Sequence, residues 1–290
     1  MAGAARAADR VAVIGAGTMG HGIAQVAAVA GCSVELVDTS VRRVQTGLER
    51  IRANLDEGVA RGKVTPDTRE RALSSINGIT DIAAAVHAAD VVIEAVPEQI
   101  ELKVNVLASA AATAPGDAIL ASNTSGLSIT EMQRALPHPA RVVGLHFFNP
   151  VHIMALVEVV RGRDTSDEVL DAAVAFARRL GKEPIVVQDS PGFASSRLGV
   201  ALGLEAMRML EEGVASAQDI DRAMELGYRH PMGPLRLTDL IGLDVRLDIA
   251  RHLHTALGGE RFRPPAILER MVAEGRLGRK SGQGFYTWDD

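Results

Sequence analysis

Two residues in GLHFFNPVHIMALVEVV have types and spacing suited to acid–base chemistry: His146, and Glu158 twelve positions later. An imidazole titrates near neutral pH and suits removal of a proton from an alcohol. Glu158 stands among Leu156, Val157, Val159 and Val160, and a carboxylate in such an apolar run needs a partner. Pairing with His146 would supply one, fix the imidazole tautomer and stabilise the imidazolium that forms. A lone histidine is more often a satisfied core residue, and Glu158 could instead face solvent. A second feature, the turn VAVIGAGTMGHG near the start of the chain, tips the balance. Gly15, Gly17 and Gly20 form G-x-G-x-x-G between a short apolar run and a small-residue helix. Gly15 permits the tight turn, Gly17 lets a pyrophosphate approach the backbone, and Gly20 allows close helix–strand packing. The helix start, with Thr18 and Met19 in the same turn, offers N–H groups and a positive dipole end to phosphates. Asp38 ends the next apolar run at the distance expected of a ribose-binding carboxylate. It would also repel a 2′-phosphate, which favours NAD over NADP; the nearby Arg42 and Arg43 soften that preference, and nothing further supports FAD. A dinucleotide site coupled to a His–Glu pair points to hydride transfer, the cofactor taking the hydride and the imidazole the proton.

Strands and helices must bring these residues together. Arg10–Gly15, Ser33–Asp38, Ala89–Val96, Ala118–Ala121, Arg141–His146, Ala155–Arg161 and Glu183–Gln188 read as strands. Met19–Ala30, an amphipathic stretch from Val41 to about Gly62, a helix opened by Pro66, Leu102–Ala112 and Ser166–Leu180 read as helices between them. That alternation predicts an α/β fold with a Rossmann-type, doubly wound, mostly parallel sheet. His146 then falls at the carboxyl edge of the sheet, where open α/β folds bind ligands. The pattern changes at Asp189-Ser190-Pro191-Gly192. Phe193–Glu212, Ala217–Leu226, Leu235–Leu257 and Pro265–Gly275 are helical candidates. We therefore expect a dinucleotide-binding domain over 1–189 and a smaller all-α domain over 190–290 for substrate and dimerisation. Apolar faces such as Leu198, Ala201, Leu202, Ala206 and Met209 exceed what so small a domain buries, hence the expected homodimer.

Composition bounds the remaining possibilities. A net charge of −5 over 290 residues argues against general nucleic-acid binding. No apolar run approaches the roughly 18 residues that cross a membrane. The leader MAGAARAADR lacks a secretory apolar core and reads as a frayed terminus. One cysteine, Cys32, excludes an internal disulfide and fits a reducing cytoplasm, and no Cys/His cluster has metal-ligand spacing. No G-x-S-x-G elbow supports a serine hydrolase. His21 reads as a helix-surface residue, and His87, His138 and His230 as exposed. Asn123-Thr124-Ser125 follows a strand at the carboxyl edge, where Ser125 could donate to a carbonyl oxygen. Asn149 could orient the nicotinamide amide or the substrate, although turn chemistry alone explains Asn and Ser in loops.

In order along the chain, VAVIGAGTMGHGIA, ASNTSGLSIT, GLHFFNPVHIMALVEVV, DSPGF, HPMGPLRLTDLIGLD and GRLGRKSGQGFYTW resemble the L-3-hydroxyacyl-CoA dehydrogenase family, of the 3-hydroxybutyryl-CoA dehydrogenase type, over nearly the whole length. The resemblance implies NAD-dependent oxidation of a short (3S)-3-hydroxyacyl-CoA to the 3-oxoacyl-CoA, with His146 as base and Glu158 its partner. It implies Ser125 near nicotinamide and substrate oxygen, Asn123 and Asn149 on the nicotinamide side, and Glu98, Lys103 and Lys280 near the cofactor. The stretch after Asp38 corresponds to a helical hairpin that helps hold coenzyme A, with Arg52, Arg61 and Lys63 as phosphate contacts or as a solvated face. The family pattern DSPGF-x-x-N-R departs here to DSPGFASSR, placing Ser196 at a substrate-site asparagine, and Gly126 stands where many relatives have serine. Two alternatives stay open: a related hydroxy-acid or sugar-acid dehydrogenase, which would use the same fold, and an NAD-binding protein with impaired catalysis, to which Ser196 gives weight.

Overall fold

The computed structural model describes residues 9–288, so most of the leader expected to fray lies outside the described residues. The described residues form two compact units, unit 1 ending at Ser190 and unit 2 beginning at Pro191. Unit 1 runs β1 (Arg10–Ile14), α1 (Gly20–Val29), β2 (Ser33–Val37), α2 (Val41–Ala60), α3 (Pro66–Ser74), β3 (Ile76–Ile79), α4 (Ile82–Val86), β4 (Val91–Glu94), α5 (Ile100–Ala111), β5 (Ile119–Ser122), α6 (Ile129–Arg134), β6 (Val142–Phe147), β7 (Leu156–Arg161), α7 (Asp167–Arg179) and β8 (Glu183–Gln188). The strands form one sheet of order β3-β2-β1-β4-β5-β6-β7-β8. Every neighbouring pair is parallel except β6 and β7. The inner strands are apolar on both faces because helices cover both; Val11, Val13, Val91, Ile93, Ala121 and Val143 are all buried. The chain leaves β1 toward β2 on one side and returns to β4 on the other, which opens a crevice at the carboxyl ends of β1 and β4.

Three short elements fall where the sequence carries no expectation. β3 pairs with β2 through INGI, a segment without an apolar run. Gly78 is required there, since a Cβ would lie 2.4 Å from Val44 Cγ1 on α2. The others are α4, capped by Asp81, and α6, capped by Ser128.

Unit 2 contains α8 (Ser195–Glu211), α9 (Ala217–Tyr228), α10 (Pro234–Ile241), α11 (Leu243–Leu257) and α12 (Ala266–Ala273). Leu235–Leu257, expected as one helix, is two. The chain breaks at Gly242, whose φ of 108° is open to glycine but not to a helical L-residue. The core gathers Val200, Leu204, Met207, Leu235, Leu247, Leu253 and Phe262. Two buried carboxylates organise it. Asp221 accepts from the N–H groups of Leu235 (2.8 Å) and Arg236 (2.9 Å), so it caps α10 from a distance. Asp239 accepts from Phe285 N, Tyr286 N and Trp288 Nε1, each at 2.9 Å, and so pins the GFYTW tail. Among the described residues no helix is long and apolar enough to cross a membrane.

Candidate active site

The glycine turn is built as its spacing demands. Gly15 N–H donates to Val37 O at 2.7 Å, and a Cβ on Gly15 would meet Ala95 O at 2.7 Å. A Cβ on Gly20 would sit 1.6 Å from Gly15 O, so that glycine serves packing. Gly17 differs: a Cβ there would have nothing within 4 Å. Its backbone faces a cavity of about 590 Å³ bordered by Thr18, Met19, Asp38 and Arg43, with apolar walls from Ile82, Val96, Leu102 and Val106. An apolar slot beside open backbone and a carboxylate fits a dinucleotide's base, phosphates and ribose. Asp38 Oδ2 accepts from Ala16 N at 2.9 Å, and Oδ1 from Thr39 N at 2.7 Å, so this carboxylate also braces the turn. Arg43 reaches within 3.9 Å of Asp38. His21 is half-buried, and its Nδ1 lies 2.7 Å from Gly17 O. Burial holds its pKa below the usual imidazole value.

His146 and Glu158 are direct cross-strand partners in the antiparallel β6–β7 ladder. Such partners share a face of the sheet, so the twelve-residue spacing becomes contact: His146 Nδ1 lies 2.7 Å from Glu158 Oε2. Glu158 is wholly buried and His146 is 7% exposed, which strengthens the bond. With Glu158 ionised the carboxylate only accepts, an arrangement that would put the proton on Nδ1 and leave the lone pair on Nε2. The Phe148 ring stands 4.3 Å from the imidazole. Asn123 Oδ1 accepts from Phe147 N at 3.0 Å and so ties the end of β5 to the strand that carries His146. After β6 the chain loops through Asn149, which is exposed. Lys182 holds that loop by donating to Val151 O and to Met154 O (2.8 Å); burial lowers its pKa.

A second network lies beside the dinucleotide cavity. Lys103 is wholly buried, with Nζ 3.0 Å from both Glu94 carboxylate oxygens and 3.1 Å from Val96 O. It also pairs with Glu98 Oε2 at 3.3 Å. The other Glu98 oxygen accepts from Thr124 Oγ1 (2.6 Å), Ser125 N (2.9 Å) and Ser125 Oγ (3.2 Å). Lys103, expected beside the cofactor, thus spends its charge inside unit 1, anchoring Glu98, which in turn sets the Ser125 loop. Burial pushes the Glu94 carboxyl up, against the pull of Lys103 and the hydroxyl of Ser122. Sequence reasoning missed Glu94, although a carboxylate closing the apolar run VVIE carries the same signal that exposed Glu158. It also missed Asp189, whose Oδ2 accepts from Ser128 Oγ and Thr130 N, both at 2.7 Å, at the start of α6.

The other expected residues fall on α2, just beyond it, and in unit 2. Arg52, Arg61 and Lys63 are exposed on α2 and just beyond it, and Arg61 pairs with Glu57 at 2.5 Å. Lys280 pairs with Asp244 at 2.5 Å within unit 2. Ser196 occupies the first turn of α8, half-buried. Among the described residues no group of three His, Cys, Asp or Glu side chains is arranged to hold a metal.

Residues 10–190 match the family model described as 3-hydroxyacyl-CoA dehydrogenase, NAD binding domain. Residues 192–288 match that described as 3-hydroxyacyl-CoA dehydrogenase, C-terminal domain. A 3-hydroxybutyryl-CoA dehydrogenase of Bradyrhizobium diazoefficiens is 42% identical over 282 residues, spanning 96% of this chain and 95% of the relative. A 3-hydroxyadipyl-CoA dehydrogenase of Escherichia coli is 44% identical over 279 residues, spanning 96% of this chain but 58% of that longer relative. The crystal structure of (S)-3-hydroxybutyryl-CoA dehydrogenase from Ralstonia eutropha superposes with a TM-score of 0.94 at 42% identity, covering 98% of this chain and 100% of that one.

Proposed function

The chain belongs to the 3-hydroxyacyl-CoA dehydrogenase family, and on that premise we propose that it oxidises a (3S)-3-hydroxyacyl-CoA of short acyl chain to the 3-oxoacyl-CoA with NAD. The observation that carries the chemistry is the His146–Glu158 contact of 2.7 Å in a buried setting. His146 Nε2 accepts the proton of the C3 hydroxyl, and Glu158 stabilises the imidazolium that results. Gly15, Gly17, Thr18, Met19 and Gly20 hold the pyrophosphate, and Asp38 the ribose. Bound NAD supplies the hydride acceptor at its nicotinamide ring. Ser125, set by Glu98, donates to the substrate oxygen, with Asn123 and Asn149 on the nicotinamide side and Lys280 reaching the cofactor. Ser196 lines the acyl site, and Arg52, Arg61 and Lys63 meet the phosphates of coenzyme A. Unit 1 is the cofactor domain; unit 2 serves substrate and a homodimer, a role supported by the exposed Leu198, Leu226, Tyr228 and Ile241. The lone, buried Cys32 supports a cytoplasmic setting.

The test is NADH oxidation with acetoacetyl-CoA, beside His146→Ala and free acetoacetate. Turnover of the thioester alone, lost in the variant, supports the reaction. NADH binding without turnover of any short acyl-CoA refutes it and favours a non-catalytic binder.

A further inference from the structure

Arg246 brings a charge into unit 2 that the unit does not neutralise. It stands on α11 and is 3% exposed, yet its Nε has no hydrogen-bond partner among the described residues. Burial, with no carboxylate opposing it, draws its pKa down to about 10. A buried guanidinium is normally paired, because its desolvation is otherwise uncompensated.

Helix α8 makes room for this side chain. A Cβ on Gly203 would lie 3.7 Å from Arg246 Nε, and one on Gly199 would meet a single atom, Arg246 Nη1, at 3.7 Å. Gly203 is buried and Gly199 half-buried, so the Nη1 end of the fork lies toward the more open part of α8. Ser196 stands three residues before Gly199, on the same helix face and also half-buried. A planar fork of donors that faces the Ser196 end of this helix matches a carboxylate in bidentate geometry.

We propose that Arg246 receives a carboxylate at the far end of the acyl chain, so that the preferred substrates are dicarboxylic 3-hydroxyacyl-CoA thioesters. This inference rests on the dehydrogenase reading and on Ser196 lining the acyl site. A methyl-terminated chain leaves the guanidinium without an acceptor, and sites with an unmet buried polar group discriminate strongly.

The experiment compares 3-hydroxyadipyl-CoA with 3-hydroxyhexanoyl-CoA, which share six acyl carbons and differ in the terminal group. Acetoacetyl-CoA serves as the reference. The wild-type protein should show kcat/KM about 10- to 100-fold higher for the adipyl thioester. Arg246→Met should remove that preference by slowing the adipyl substrate, leaving the hexanoyl rate within about threefold, and should not lower the melting temperature. Gly199→Val, which keeps the arginine and covers Nη1, should reduce the adipyl preference as well. Equal kcat/KM for the two six-carbon substrates in the wild-type protein, beside good turnover of acetoacetyl-CoA, overturns the carboxylate site alone and needs no variant. A lower melting temperature and a dissociated oligomer in Arg246→Met also overturn it, in favour of a carboxylate from a second copy of the chain. No turnover of all three thioesters overturns the dehydrogenase reading, and this inference with it.

Discussion

Replacing Lys103 by Met tests whether the buried network under Ser125 is held by charge. Lys103 and Glu94 are both wholly buried, and Nζ contacts both carboxylate oxygens at 3.0 Å. Without the ammonium, the donors left to Glu94 among the described residues are Ser122 Oγ and Val96 N. An ionised carboxylate left this way costs about 3–5 kcal/mol. Proton uptake caps the loss. Starting from the ordinary value of 4.5, holding the carboxyl neutral costs about 3 kcal/mol at pH 7 and under about 1 kcal/mol at pH 5, at 1.36 kcal/mol per unit. The sign follows from proton binding. Glu94 in the folded variant holds its proton to higher pH than in the unfolded chain, so the variant loses stability as pH rises from 5 to 7. The assay is urea unfolding of wild type, Lys103→Met and Glu94→Gln/Lys103→Met at both pH values, read as the shift in midpoint. We expect a large deficit at pH 7, most of it recovered at pH 5, and a smaller, pH-independent deficit in the double variant. A single-variant deficit below about 1 kcal/mol at pH 7, or one that ignores pH, refutes the claim that this lysine neutralises Glu94.

Gly17→Val should fold with an unchanged melting temperature but lose NADH binding, because its Cβ enters open space, whereas Gly20→Ala should fail to accumulate as folded protein, because its Cβ strikes Gly15 O; ligand-induced fluorescence and thermal melting read both. Asp38→Ala should weaken NAD binding about tenfold or more and NADP binding less, since the repelling carboxylate goes with the ribose acceptor; an unchanged NAD to NADP ratio in titrations contradicts this role. Glu158→Gln should lower kcat by about 10²-fold or more and displace the acid limb of the pH–rate profile, with NADH affinity kept; a profile superposing on wild type removes Glu158 from the chemistry.

What the sequence revealed followed from local pattern. G-x-G-x-x-G between strand and helix, the alternation of strands with helices, and the change at Asp189 are all short-range signals. Glu158 was legible because a carboxylate in an apolar run demands a partner. Glu94 obeyed the same logic but was masked by the proline turn after it. The α6 helix had a signal as well, since Ser128 and Glu131 have capping-box spacing, but it spans six residues and its apolar face within them is the single pair Ile129 and Met132. β3 could not be read locally: INGI becomes a strand because β2 offers it an edge and α2 covers Gly78. Arg246 was equally illegible, because its isolation depends on two glycines more than forty positions upstream.

The antiparallel step between β6 and β7 decouples chemistry from the loop that separates its two residues. His146 and Glu158 meet through strand register, so the exposed residues 152–155 can change in sequence while that contact stays in place. Drift in those four residues can therefore be sampled while the proposed proton-transfer pair keeps its geometry.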